Sequence, residues 1–461
     1  MATSASKHAV VLGGSMAGLL AANVLARHFE RVTLFERDTF PAGAEPRKGV
    51  PQSWQLHGLL AGGRRALEAL FPDFGAELLA RGAHDVDVGT CGKFLVAGTP
   101  LPHHETGLRC FVMSRPLLES YVRERVLAAS NIQVRQACVA QNLVGDRHAV
   151  TGVMIRDASS QQQELVRTDL VVDATGRGSR LPEWLSELGA QAPEEERVTV
   201  NLHYTSFYIR RDRQHLGGDN IWIDNPHPSS RRAGAALAVE GDRFVVGLTG
   251  YLNEPMPQDY AAAIDFTKTL RGSALHDLLR SSEPVSELRT MRFAASQRRR
   301  YERLTAAPQG LLVAGDALCC FNSVYGQGMT VAALEASALD ACLRAGTDDL
   351  FKRYQRAAAK LVDVPWSIVV GGDYAFEGVV GKRTLTTRAM NAFMNKLTQA
   401  APHDPEISRA FMNVMHLCAP PSSLFVPNIL WRIFSSQTSP RLHAISASRE
   451  AHASRSANSA H

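Results

Sequence analysis

The chain has 461 residues, enough for two or three domains around a substantial core, and its 45% hydrophobic and 21% charged content is ordinary globular composition. A net charge of +5, with arginine pairs scattered at Arg210-Arg211 and Arg231-Arg232, argues against a nucleic-acid partner. Seven cysteines, an odd count without CxxC spacing, indicate neither a zinc site nor a disulfide framework and fit a reducing, cytoplasmic compartment.

Only seven residues precede His8, so no signal peptide is expected. His8 to Leu12 is a short apolar run suited to a buried parallel strand. Met16 to Phe29 has helical apolar spacing, and Arg31 to Glu36 reads as the next strand. The stretch from Ala9 to Ala26 is apolar, but the glycine turn inside it argues for a buried strand–helix unit and against an integral membrane segment. Gly13 permits the sharp strand-to-helix turn, and Gly18 permits close packing of helix on strand. The middle glycine position of the motif is Ser15, small enough for backbone approach and able to donate to phosphate. The free N–H groups of the helix start, around Ala17, face a pyrophosphate. Glu36 closes the unit, where a carboxylate accepts from ribose hydroxyls, and Arg37 follows it.

Arg47-Lys48-Gly49-Val50-Pro51-Gln52 forms a loop that leads past His57 into a helix from Gly58 to Leu70. Arg47 can neutralise pyrophosphate or an anionic ring, while Gln52 and His57 are the candidates for contacting the reacting end. Asp85 to Val88 and Lys93 to Val96 read as strands of a second sheet. Ser114-Arg115-Pro116 opens a helix, with Arg115 placed to contact a cofactor at its start. Ile132 to Val134, Cys138 to Val144 (with Val139 a cofactor-binding candidate) and Ala149 to Ile155 read as a three-strand meander. Leu170 to Val172 is a strand that ends at Asp173 and the turn Ala174-Thr175-Gly176.

From Val198 to Leu248 alternating strands suggest an antiparallel sheet, whose Phe207, Tyr208, Trp222 and Phe244 either wall an apolar pocket or, more commonly for such aromatics, fill the core. Leu311 to Asp316 is another buried strand that ends in Gly315-Asp316, whose carboxylate can accept from a ribityl hydroxyl. Gly326, Gly328 and Met329 begin a helix whose N-terminus favours negative charge on a flavin pyrimidine. The two glycine turns, in this order, describe FAD held at both ends. Further on, Leu350 to Val364, Trp366 to Val370, Ser408 to Leu417 and Asn428 to Phe434 are helical candidates, and 437–461 reads as a disordered tail.

The expected fold is α/β with an α+β second part. A Rossmann-like FAD-binding domain comprises 1–75, 105–190 and 294–345; a substrate domain built on an antiparallel sheet comprises 76–104 and 191–293; a helical region spans 346–436.

The segments Gly13 to Gly18 with Glu36, Ser114-Arg115, Asp173 to Gly176, and Gly315-Asp316 with Gly326-Gln327-Gly328 resemble those of FAD-dependent monooxygenases of the aromatic-hydroxylase superfamily. The loop from Arg47 to Gln52 with His57, the run from Phe321 to Met329, Val364-Pro365-Trp366 and Gly371-Gly372-Asp373 are similar to bacterial flavin epoxidases that act on polyketide polyenes. Ser323 departs from the family, which usually carries proline there, and implies a less rigid turn. The resemblance implies oxygen transfer from O2 through a C4a-hydroperoxyflavin to an alkene of a polyketide or prenylated secondary metabolite. The alternatives are an aromatic-ring hydroxylase, or a flavin-dependent reductase of prenyl double bonds. NAD(P)H serves as reductant, directly or through a partner reductase, since no second dinucleotide motif is present. A carrier protein is a further candidate partner. No metal site is expected. Related halogenases carry Trp-x-Trp-x-Ile-Pro; here no two of Trp54, Trp184, Trp222, Trp366 and Trp431 are two residues apart.

Overall fold

The computed structural model describes residues 7–96 and 98–435; the tail expected over 437–461 lies outside them. A five-stranded parallel sheet forms the first layer, in the order Leu311–Val313, Leu170–Asp173, His8–Leu12, Arg31–Phe35 and Ile132–Arg135. The strand His8–Leu12 is buried along its whole length, as a central strand with helices on its faces must be. Register aligns Leu12 with both Phe35 and Asp173, and Asp173 with Val313. The turns that follow these four residues therefore leave the sheet along one edge. Helices Met16–Leu25 and Gly328–Arg344 pack against each other beside it.

Ile132–Arg135 is the outer strand of this sheet and pairs with Arg31–Phe35, not with the neighbouring meander. The expectation of a meander beginning there is corrected: four residues carry too little pattern to say which sheet they join. The meander consists of Cys138–Gly145, Val150–Asp157 and Gln163–Arg167.

A second, eight-stranded sheet runs in the order Cys319–Cys320, Arg289–Arg299, Glu195–Arg210, Arg243–Gly250, Arg232–Val239, Ile221–Asp224, Gly92–Val96 and Thr99–Pro100. Its pairings are antiparallel except that between Ile221–Asp224 and Gly92–Val96. Helices Tyr260–Thr267 and Ala274–Ser281 cover one face, and the C-terminal helices pack against the other. Leu350–Asp373 is one helix that continues through Pro365, where two segments were expected. Leu385–Ala400, Pro405–Met415 and Pro427–Ser435 are the last helices among the described residues. Among the described residues no helix is long and apolar enough to cross a membrane.

Candidate functional site

Gly13 leaves its strand at φ +96°, and its N–H donates to the Phe35 carbonyl at 2.8 Å. A Cβ at Gly13 would stand 2.4 Å from the Ala174 carbonyl oxygen, and one at Gly18 only 1.8 Å from that of Gly13. Both positions are glycine because backbone fills the space of a side chain. Glu36 is buried and turned back on this turn: Gly14 N–H donates to it at 2.6 Å and Asp38 N–H at 2.9 Å. Val139 lies close by, since the adjacent Cys138 N–H donates to the Glu36 carbonyl at 2.9 Å. Arg37 points outward, where its guanidinium reaches the Gly49 carbonyl at 3.3 Å.

Glu119 joins the arginines at the centre of the site. Its carboxylate accepts from Arg47 Nε at 2.9 Å and from Arg115 Nη1 at 2.7 Å, with all three side chains buried. Burial opposes charge on Glu119, but Arg115 and Arg47 outweigh it and hold the carboxyl below its ordinary range. Arg115 also donates to the Ser15 hydroxyl at 3.0 Å, and Arg47 to the Gly14 carbonyl at 2.9 Å. Arg47 Nη1 lies 3.3 Å from Glu36 without making a hydrogen bond. Ser114 caps the helix that carries Arg115 and Glu119 by accepting from Leu117 N–H. The sequence reading missed Glu119, although its i, i+4 spacing from Arg115 puts both on one helix face.

The second turn meets the first. Gly315, at φ +63°, donates its N–H to Glu335 Oε2 at 2.7 Å. Burial raises the Glu335 carboxyl to about 8. Asp316 is part-buried and also raised by burial, against the opposing pull of Arg115 and Arg177. The two turns touch at Gly315 and Ala17.

Behind the third glycine turn lies a buried polar cluster. Asn322 Nδ2 donates to Asp373 Oδ1 at 2.8 Å and to the Tyr251 hydroxyl at 3.0 Å. Tyr251 donates to Asp373 at 3.2 Å, and burial raises this carboxyl to about 7. Asn322 Oδ1 accepts from Val324 N–H at 3.1 Å, and the Ser323 hydroxyl lies 2.5 Å from that of Tyr204. The turn expected to be loosened by Ser323 is instead tied to the eight-stranded sheet through this pair. A Cβ at Gly372 would stand 2.0 Å from the Tyr325 hydroxyl, so the glycine there admits the tyrosine.

His57 Nδ1 lies 2.8 Å from the Gln55 carbonyl. Burial and the charge of Arg115 lower its imidazole to about 3, so it is neutral at physiological pH. Gln52 lies partly exposed in the 3-10 turn Pro51–Trp54. The aromatics weighed as pocket wall or core divide between the two. Phe207 and Phe244 are buried under the helices Tyr260–Thr267 and Ala274–Ser281. Strand alternation sends Tyr208 to the opposite face, where with Trp54 it borders a cleft of about 260 Å³. Trp222 borders an outer cleft of about 410 Å³ with Lys93.

The residues fit a bound dinucleotide. Cβ atoms at Gly176, Gly178, Gly326 and Gly328 would meet nothing within 4 Å, so open space lies over these turns. The buried Gln327 amide, between the last two, has no protein partner for its oxygen or nitrogen.

A parallel sheet with glycine turns and carboxylates along one edge defines a dinucleotide-binding oxidoreductase fold. A family profile described as FAD dependent oxidoreductase matches residues 9–216. Protein Rv3254 of Mycobacterium tuberculosis (strain ATCC 25618 / H37Rv) is 32% identical over 422 residues, covering 88% of each chain. The chain belongs to the FAD-dependent oxidoreductase family, and its cofactor is FAD. The fold is shared with flavin-dependent brominase Bmp2, at a TM-score of 0.65, 13% identity and coverage of 94% of this chain and 99% of that one. It is also shared with p-nitrophenol 4-monooxygenase PnpA from Pseudomonas putida DLL-E4, at a TM-score of 0.64, 14% identity and coverage of 90% and 98%.

Proposed function

We propose that this flavoenzyme is a monooxygenase that transfers one oxygen atom from O2 to an electron-rich double bond of an apolar polyketide or prenylated metabolite. The observation that carries the reading is the meeting of the two glycine turns at Gly315 and Ala17, together with Arg115, which donates to Ser15 on the first of them and to Glu119. In this reading Gly13, Ser15, Ala17, Gly18 and Arg115 take the pyrophosphate, and Glu36 with Arg37 and Val139 takes the adenosine end. Asp173 shapes the turn beside the cofactor. Gly315-Asp316 takes the ribityl chain, and Gly326, Gly328 and Met329 the pyrimidine. Arg47 supplies positive charge through the Glu119 hub. Bound and reduced, FAD activates O2 for transfer of a single oxygen atom.

The protein's part is to orient the ring and keep water away. His57, neutral beside Arg115, is placed to hydrogen-bond without adding a charge, and Gln52 is the second candidate at the reacting end. In this reading the substrate side is the face of the eight-stranded sheet toward the C-terminal helices, where Leu56, Phe94, Ile223 and Ile368 are partly buried against an apolar cluster. The division into cofactor, substrate and helical regions follows the same assignment. The kinship of fold with p-nitrophenol 4-monooxygenase supports oxygenation, and the lack of the paired-tryptophan segment sets the chain apart from halogenases.

The purified protein is expected to be yellow and to release FAD on denaturation; colourless protein that cannot be reconstituted overturns the assignment. Under ¹⁸O2, with NAD(P)H alone or with a flavin reductase, a polyene or prenylated substrate should gain one labelled atom. A saturated product formed without O2 makes the enzyme a reductase, and a ring hydroxyl makes it an aromatic hydroxylase.

A further inference from the structure

Exposed apolar side chains on this protein are concentrated at one place. Of eleven large hydrophobic residues exposed among the described ones, seven lie between Val380 and Phe434, including Leu385 at 81% and Trp431 at 69% exposure. Scattered exposed leucines are normal on a soluble surface, whereas a contiguous group signals contact. Two contacts join the helix Leu385–Ala400 to the segment that carries Phe425 and Phe434. Phe393 stacks on Phe425 at 4.6 Å between centroids, and Lys396 Nζ sits 4.9 Å from the centroid of Phe434. Trp431 and Phe434 are three residues apart on one helix, and so share a face. On the helix Leu385–Ala400, exposed Leu385, Ala389, Ala392 and Lys396 recur at helical spacing and extend the patch along its axis.

The unpaired charges that this segment contributes are positive. No carboxylate side chain occurs between Glu377 and Asp404, a stretch that holds Lys382, Arg383, Arg388 and Lys396. The two acids that follow are both engaged: Asp404 accepts from Arg432 at 2.9 Å and Glu406 from Arg409 at 2.5 Å. Lys382, Arg388 and Lys396 are exposed and have no ion-pair partner among the described residues.

We propose that the face formed by Leu385–Ala400 and Pro427–Ser435 docks the enzyme onto an anionic phospholipid surface. An indole, phenylalanine rings and a leucine flanked by unpaired cations fit the boundary between acyl chains and negatively charged headgroups. The contact is peripheral, since no described helix is long and apolar enough to span. It places the C-terminal helices, which cover one face of the eight-stranded sheet, next to the phase in which an apolar molecule concentrates. Docking does not depend on the identity of the reaction.

The test is flotation of the FAD-loaded full chain with vesicles of phosphatidylcholine, with and without phosphatidylglycerol. Binding is expected to the anionic vesicles, to weaken with added salt, and to fall at least about tenfold in W431A/F434A, by loss of two buried rings. Lys382→Glu with Arg388→Glu should remove the preference for anionic lipid. Because these side chains are exposed, the variants should keep bound flavin and an unchanged melting temperature. As a second readout, brominated lipid should quench tryptophan fluorescence in the parent, and W431F should lose that quenching. Absence of binding to anionic vesicles, or binding that none of the substitutions alters, overturns the proposal. So does a dimer by light scattering that W431A/F434A converts to monomer, which would assign the face to a second copy of the chain.

Discussion

Gly315 approaches Ala17 so closely that a Cβ built on it would stand 2.5 Å from the Ala17 methyl. Residues from opposite ends of the cofactor-binding half thereby touch, and neither can grow without moving a turn. Gly315→Ala adds this clash to a backbone at φ +63°. It is expected to destabilise the fold by about 1–3 kcal/mol and to weaken FAD retention. Urea unfolding and a flavin-fluorescence titration check both effects; unchanged values in the two would show that the turns are not mechanically joined.

Glu119 neutralises two buried arginines. Glu119→Ala leaves Arg115 and much of Arg47 uncompensated and should cost about 3–5 kcal/mol. Glu119→Gln, which keeps the shape and one acceptor, should lose less. Equal loss in the two variants, measured by denaturant titration, would mean that packing and not charge holds the hub.

Asp316→Ala should weaken FAD binding while leaving the fold intact, because this carboxylate has no structural partner comparable to that of Glu119. An equilibrium titration of apoprotein with FAD that gives the parent's affinity would refute its assignment to the ribityl chain.

Two buried groups set opposite limbs of the stability–pH curve. Glu335 is raised to about 8, so between about 4.5 and 8 the folded state binds a proton that the unfolded state has released. Stability attributable to it is therefore present at low pH and lost as pH rises through 8. Glu335→Gln should raise the melting temperature at pH 8.5 and change it little at pH 5. His57 is lowered to about 3, so between about 6.5 and 3 it is the unfolded state that binds the extra proton. Its contribution is lost as pH falls, and His57→Asn should flatten the acid limb. Melting scans from pH 4 to 9 separate the two.

Three strands of the parallel sheet, His8–Leu12, Leu170–Asp173 and Leu311–Val313, were legible because they are short apolar runs that end in glycine turns. The strand Arg289–Arg299 was not, since its sequence reads as polar. Its Arg298 is buried and meets the Asp363 carboxylate at 2.6 Å, a partner that local pattern cannot supply. Pro365 suggested a break, yet the helix runs through it. The role of Asp373 was hidden for the same reason as that of Arg298: Asn322 and Tyr251 reach it only once the chain has folded. Whether Phe207 and Phe244 line a pocket or a core was not legible, because alternation says which residues share a face but not which face meets the ligand.

The order of strands in the parallel sheet has a consequence for how the enzyme is made. The edge strand Leu311–Val313 pairs with Leu170–Asp173, which the ribosome finishes some 140 residues earlier. Until it arrives, the nascent chain carries an open backbone edge and half a nucleotide cradle. Such an edge invites pairing with other chains, so production in a host should respond to chaperone supply and to slower synthesis. If the turns assigned above hold the cofactor, flavin capture waits until translation has passed this strand and the helix after it.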